Sequence, residues 1–179
     1  MAAAVRPGLS HSESEVDGSM RGDTEAFDAF VRARLPHLLR FGRALTGSDH
    51  TAADLVQDAL ERTGLAWSRV QQQGDPEGYV RRVMANRSIS TWRKLRRERL
   101  VGDPPEASYE DQPVDRVLWD VLARLPRRQR TVLVLRYYED LSEAEIARVL
   151  GIAPGTVKSQ ASKGIAALQP VRLRIAFAT

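Results

Sequence analysis

The stretch "GIAPGTVKSQASKG", Gly151 to Gly164, places Lys158, Ser159, Gln160, Ser162 and Lys163 within two helical turns and includes no carboxylate. These are short donors and acceptors with two ammonium groups, a set suited to base edges and phosphates. Gln pairs bidentately with adenine, Lys reaches guanine, and Ser or Lys holds a phosphate. Val157 and Ala161 stand four apart, as a packing face requires, and Ile165 and Leu168 are expected to continue that face. Plain solvation is the alternative use of the polar face. The flanking residues argue against it. Ser142 and Glu145 form an S-x-x-E capping box, Leu141 can staple onto Ile146, Gly151 can stop that helix and Pro154 can start the next. A short helix, a glycine turn and a second, polar-faced helix make a helix-turn-helix, whose second helix enters the major groove with its first turns nearest the bases.

Two further clusters of charge need an explanation. The segment "NRSISTWRKLRRER" is dense in cations. At about 100° per residue, Arg82, Asn86, Arg93 and Arg97 fall within roughly 60° of one another on a helix. A basic stripe containing an amide suits a phosphate backbone, and an aromatic such as Trp92 could stack on an unpaired base, although its expected place is the core. Asp54, Gln57, Asp58 and Glu61 occupy positions i, i+3, i+4 and i+7. That acidic face would repel DNA, so it meets either solvent or a basic protein; spacing alone favours solvent.

Composition narrows the remaining classes. The 179 residues carry a net charge of +4, a balance compatible with a polyanionic partner. There is no cysteine, which excludes disulfides, thiolate metal sites and a cysteine nucleophile, and three scattered histidines make a poor metal site. No catalytic residues, metal ligands or cofactors are expected. No apolar run approaches the ~18 residues of a membrane span, and the N-terminus lacks the apolar core of a secretory signal. A cytoplasmic location without membrane contact is the expectation.

The elements that must position these clusters all read as helices. Residues 1–22 are rich in Ser, Gly and Glu and are expected to be disordered. Phe27, Phe30, Val31, Leu35, Leu38, Leu39 and Leu45 recur at helical steps, with Pro36 expected to kink or restart the helix and "TGSD" to end it. Helices are expected over 51–67 and, after the "QQQGDP" loop with Asp75 as cap and Pro76 as first residue, over 76–99. "DPPEASYEDQPVD" contains three prolines and five acidic residues and reads as a linker. Leu118, Val121, Leu122 and Leu125 then begin a second helical block. "VLVL" in that block could pass for a strand, but no other segment offers it a partner. The expected fold is all-α: a tail (1–22), a helical domain (23–99), an acidic flexible linker (100–114), a helix-turn-helix domain (115–170) and a C-terminal tail (171–179).

Two small helical blocks joined in this way resemble the extracytoplasmic-function (ECF) sigma factors of bacterial RNA polymerase. The resemblance rests on "TAADLVQDALERTGLAW", "GYVRRVMANRSISTWRKLRRER" and "LPRRQRTVLVLRYYEDLSEAEIARVLGIAPGTVKSQASKG", in family order over about residues 24–169. It implies that Asp54, Leu55, Gln57, Asp58 and Glu61 dock on the clamp helices of the polymerase largest subunit, which replaces the solvent reading of that face. It implies that Asn86 helps hold a flipped base of the minus-ten element, with Arg82, Arg87, Arg93 and Arg97 on the flanking duplex and the separated strand. It implies that Thr156, Lys158, Ser159, Gln160, Ser162 and Lys163 read the minus-thirty-five element while their domain meets the polymerase flap. The implied partners are core RNA polymerase and promoter DNA, duplex and single-stranded. An anti-sigma factor, where one exists, would bind the same surfaces. The chain departs from the family pattern at Ala153, where a capping Ser or Thr is usual, at Gln160, where Arg is frequent, and at Ser90, where Asp is common. The runner-up reading is a free-standing helix-turn-helix regulator that binds duplex DNA without polymerase; it leaves the acidic face and the first basic helix without a role.

Overall fold

In a computed structural model of the chain, backbone is described for residues 11–98 and 113–176, and side chains for residues 21–90 and 119–168. Every regular element among the described residues is a helix: α1 (His11–Thr46), α2 (Asp49–Leu65), α3 (Trp67–Gln72), α4 (Pro76–Glu98), α5 (Pro113–Arg124), α6 (Arg127–Tyr137), α7 (Glu143–Leu150) and α8 (Pro154–Ala176). The expected linker falls between α4 and α5, mostly outside the described residues.

Helix α1 departs from expectation three times. It begins at His11 rather than near residue 23. Extending an established helix adds one bond per residue, without the cost of a new nucleus. It also runs unbroken through Pro36. Proline removes one ladder bond, but its ring faces solvent, and Leu38, Phe41, Ala44 and Leu45 anchor the following turns in the core. Leu35 and Leu39, expected in the core, are 36% and 38% exposed because the buried line runs through Leu38, Phe41 and Leu45. Gly47, at φ +80°, turns the chain into α2. Short α3, absent from the sequence reading, is held by Trp67, whose ring meets Phe27 edge-on with centroids 5.1 Å apart. In α4, Asp75 Oδ1 accepts from the Gly78 N–H at 2.8 Å, as its capping role requires.

The run "VLVL" lies within helix α6, where Arg130 through Leu135 are all buried. A helix buried on every side must sit between other elements. Here α6 packs on α7 and α8 on one side and on α1 and α4 on the other. The two helical units therefore share one contiguous core, with Leu38, Phe41 and Met84 of the first unit and Leu135, Ile146 and Val157 of the second. Each such side chain removed from water contributes about 1.5–3 kcal/mol before entropy is counted. Arg130 joins the units as well. Its guanidinium donates to the carbonyls of Leu45 (3.3 Å), Leu125 (3.2 Å) and Ala123, the free ends of α1 and α5. Burial pulls its pKa down to about 10, so it remains charged at neutral pH.

Candidate nucleic-acid and protein interfaces

The acidic face on α2 is split by the packing. Ser48 caps the helix, its side chain accepting from Thr51 N–H. Asp54, Gln57 and Glu61 project into solvent, with Gln57 Nε2 donating to Glu61 Oε1 at 3.0 Å. Leu55, at 8% exposure, belongs to the core, so it can set the pitch of the face but presents almost no surface itself. Asp58 is half-buried and turned toward α4. Its carboxylate accepts from Arg87 Nε and Nη2, both at 2.7 Å, and from Arg62 Nε at 3.1 Å. The Arg87 hydrogen bond is the main reason that its pKa lies below the ordinary 3.8. Asp58 and Arg87, expected on a polymerase face and a DNA face respectively, are thus joined to each other across α2 and α4.

On α4, Arg82 is exposed, while the Asn86 amide is engaged. Its Nδ2 donates to Arg82 O at 3.0 Å and to Val149 O at 2.8 Å. Val149 lies in the last turn of α7, where helix carbonyls lack partners within their own helix, and the asparagine supplies one. Arg93 and Arg97 lie on α4 beyond the residues whose side chains are described, as does Trp92.

The helix-turn-helix is built as the sequence reading expected. Glu145 N–H donates to Ser142 Oγ at 3.3 Å, and Glu145 Oε2 accepts from the Ser142 hydroxyl at 2.6 Å and from its N–H at 2.8 Å; the hydroxyl first and the N–H second hold the Glu145 carboxyl below its usual range. Gly151, at φ +64°, closes α7, and the Ile152 N–H returns to Ala147 O at 3.1 Å. With alanine at position 153, only the backbone starts α8: Ala153 O accepts from the Thr156 and Val157 N–H groups at 2.9 and 3.2 Å. Val157 and Ala161 are buried, as expected, at 0% and 4% exposure, but Ile165 is 40% exposed. Gly164 packs in its place, so close to α6 that a Cβ there would lie 2.8 Å from Leu133 Cδ1.

Lys158, Ser159, Ser162 and Lys163 point outward from α8, whereas Thr156 and Gln160 are half-buried. Thr156 and Gln160 share a cleft of about 310 Å³ with Asn86, Arg87, Arg128 and Ile152. Residues expected to read two separate promoter elements are thereby brought together at one place. The sequence reading missed Arg128 on this cleft, and it missed the contacts of Arg81 and His37 with Glu139. Arg81 Nε donates to Glu139 Oε2 at 2.6 Å, and His37 Nε2 lies 3.3 Å from Glu139 Oε1. These residues belong to elements far apart in sequence, and only the "LPRRQR" run hinted at a cationic edge on α6. Among the described residues no cluster of His, Asp and Glu is placed to hold a metal ion, and no helix is long and apolar enough to cross a membrane.

Residues 30–98 match the family model "Sigma-70 region 2" and residues 115–168 match "Sigma-70, region 4". An RNA polymerase sigma-E factor from Streptomyces coelicolor is 38% identical over 153 residues, covering 83% of this chain and 86% of that protein. The ECF RNA polymerase sigma factor SigL of Mycobacterium tuberculosis is 32% identical over 169 residues, covering 87% of this chain and 94% of that one. In fold, the chain is similar to the sigma factor RpoE of Bartonella quintana, solved in complex with the anti-sigma factor NepR, with a TM-score of 0.66 and 24% identity over 82% of this chain and 96% of that one. Two sigma-70 regions in order, rather than one isolated helix-turn-helix, set aside the free-standing regulator, and the chain belongs to the sigma-70 family as an ECF sigma factor.

Proposed function

We propose that the chain binds core RNA polymerase through the outward face of α2 and directs it to promoters that α8 and α4 read. The observation that carries this reading is the coexistence, in one chain, of an exposed acidic face (Asp54, Gln57, Glu61) and a capped helix-turn-helix whose second helix presents Lys158, Ser159, Ser162 and Lys163. The first surface repels DNA and suits cationic helices such as those of the polymerase clamp; the second attracts phosphates. Asp58 supports the face indirectly, by fixing α2 on α4. Asn86 is the group for a base flipped from the minus-ten element, where an amide can both donate and accept. The described Arg82, and Arg93 and Arg97 further along α4, would hold the adjoining phosphates.

The functional division is residues 23–99 for polymerase and minus-ten contacts, 100–114 for the linker and 115–170 for the minus-thirty-five contacts. The protein itself catalyses nothing in this reading; polymerase forms the phosphodiester bonds, in the cytoplasm. An anti-sigma factor would act by covering these same faces. Mixing the pure chain with core polymerase and a library of the host's sheared genomic DNA tests the reading. Transcripts starting at discrete sites, and only when the chain is present, are the expected result; binding of duplex DNA with no effect on initiation would overturn it.

A further inference from the structure

The cleft between α4 and the helix-turn-helix is lined by polar groups whose hydrogen-bonding capacity the fold leaves unused. Its volume is about 310 Å³, at the lower end of the roughly 300–1,000 Å³ common for small-molecule sites, which favour junctions between structural units. Ile89, Leu150 and Ile152 give it aliphatic walls above a floor at Val132, which is 1% exposed. The half-buried Gln160 carboxamide and Thr156 hydroxyl make no hydrogen bond among the described residues. Asn86 gives its amide protons to Arg82 O and Val149 O, which leaves its Oδ1 as an acceptor at the exposed rim. Polar groups drawn out of water normally find partners in the fold; these line open space. Two guanidiniums also reach the cleft. Arg87 is committed to Asp58 by two bonds of 2.7 Å, whereas Arg128 is exposed and has no ion-pair partner among the described residues. No described carboxylate lines the cleft.

A cleft of this composition selects a flat, hydrogen-bonding, anionic ligand. Aliphatic walls take a ring by its faces. A carboxamide donates and accepts side by side, which matches the N6 and N7 edge of adenine at two points. An unpaired guanidinium takes a phosphate through two parallel bonds. A cationic ligand would meet Arg87 and Arg128 with no acid to receive it. We propose that the cleft is a binding site for a purine mononucleotide, its base edge on Gln160 with Asn86 and Thr156 beside it, and its phosphate on Arg128. The ligand touches α4, α6 and α8 at once, so its affinity depends on residues of both helical units. On the sigma-factor reading it also takes Gln160 from the minus-thirty-five element, and nucleotide and promoter compete for that side chain.

Calorimetric titration of the chain with adenosine monophosphate tests the site. It uses neither polymerase nor promoter, so its outcome is separate from that of the sigma-factor reading. The expected result is one nucleotide bound per chain. Arg128→Ala, Gln160→Leu, and removal of the phosphate by using adenosine as the probe should each weaken binding by about tenfold. Because Arg128 is exposed, Arg128→Ala should leave Tm unchanged, which separates loss of the ligand from loss of the fold. Inorganic phosphate controls for charge alone, and cytidine monophosphate for the base edge; both should bind more weakly than adenosine monophosphate. Absence of binding by adenosine monophosphate at millimolar concentration would overturn the proposal. So would binding no tighter than that of inorganic phosphate, or binding that survives both substitutions. A short single-stranded DNA that bound through Arg128 and Gln160 where the mononucleotide did not would also overturn it, and would give the cleft to an unpaired strand instead.

Discussion

Replacing Asp58 separates a structural role from a docking role on a single helix face. Asp58 accepts two hydrogen bonds of 2.7 Å from Arg87. Hydrogen bonds to charged groups are worth about 1.5–3 kcal/mol where they are well shielded. Here the side chains of Arg87 and Asp58 are 39% and 31% exposed, so water competes for both. The pair then belongs at the upper end of the range for exposed ion pairs, at about 1 kcal/mol. For a chain of this length, Asp58→Ala should lower Tm by about 2–4 °C. A double-mutant cycle with Arg87→Ala should return a coupling of about 1 kcal/mol. Asp54→Ala should leave Tm unchanged, because its side chain is 68% exposed and its described ionic neighbour is His50 at 4.0 Å. It should nonetheless weaken polymerase binding measured by fluorescence titration. The coupling also has a pH signature. Arg87 holds the folded pKa of Asp58 below the ordinary 3.8, so the pair's contribution is fully present above that pH and is lost as pH falls through the lowered folded value. If Asp58→Ala left Tm and the cycle unaffected while weakening polymerase binding as much as Asp54→Ala, Asp58 would be a docking residue and the argument from its hydrogen bonds would be wrong.

Gly164→Ala sets a helix-propensity gain of about 1 kcal/mol against a methyl placed 2.8 Å from Leu133 Cδ1. Overpacking costs about 1–3 kcal/mol, so urea titration should show a net loss of up to about 2 kcal/mol; a more stable variant would mean that α8 and α6 have room to spare. Lys163→Ala should weaken binding to all promoters alike and reduce the salt slope of holoenzyme binding by about one unit, whereas Gln160→Arg should change the preferred base at one upstream position; an unchanged preference would remove Gln160 from the readers. Asn86→Ala should reduce strand opening more than initial promoter binding, and unchanged permanganate reactivity of the melted region would argue against its role at a flipped base.

Local rules carried much of the fold. The capping box at Ser142 and Glu145, the left-handed Gly151 and the Asp75 cap are each set by residues within a few positions of one another, and each stands where the sequence placed it. The helix across "VLVL" was legible by elimination, for want of any strand partner. Long-range contacts were not legible. Nothing near Pro36 indicates that Leu38 and Phe41 will anchor the helix as it continues past it, and nothing near Leu39 indicates that the core will pass it by. The same limit applied to the site. Acidic spacing on α2 identified a face, but whether Asp58 looks outward depends on Arg87, 29 positions away. Likewise Asn86 stood out as an amide within a basic stripe, while its bond to Val149, 63 positions away, is a property of the folded chain alone.

Helix α6 bears on how the protein can be divided for experiments. Six consecutive residues, Arg130 through Leu135, are buried, and they are covered from two sides by helices belonging to different halves of the chain. A fragment cut at the linker to isolate the helix-turn-helix would keep α7 and α8 but lose α1 and α4. It would also leave the Arg130 guanidinium without the Leu45 carbonyl. The bared strip of α6 carries core apolar side chains beside Arg130 and Thr131, and exposed apolar surface of this kind drives self-association in concentrated samples. Such a fragment calls for polar replacements on its bared side, or for a fused helix that takes the place of α1, before its DNA affinity can be compared with that of the intact chain.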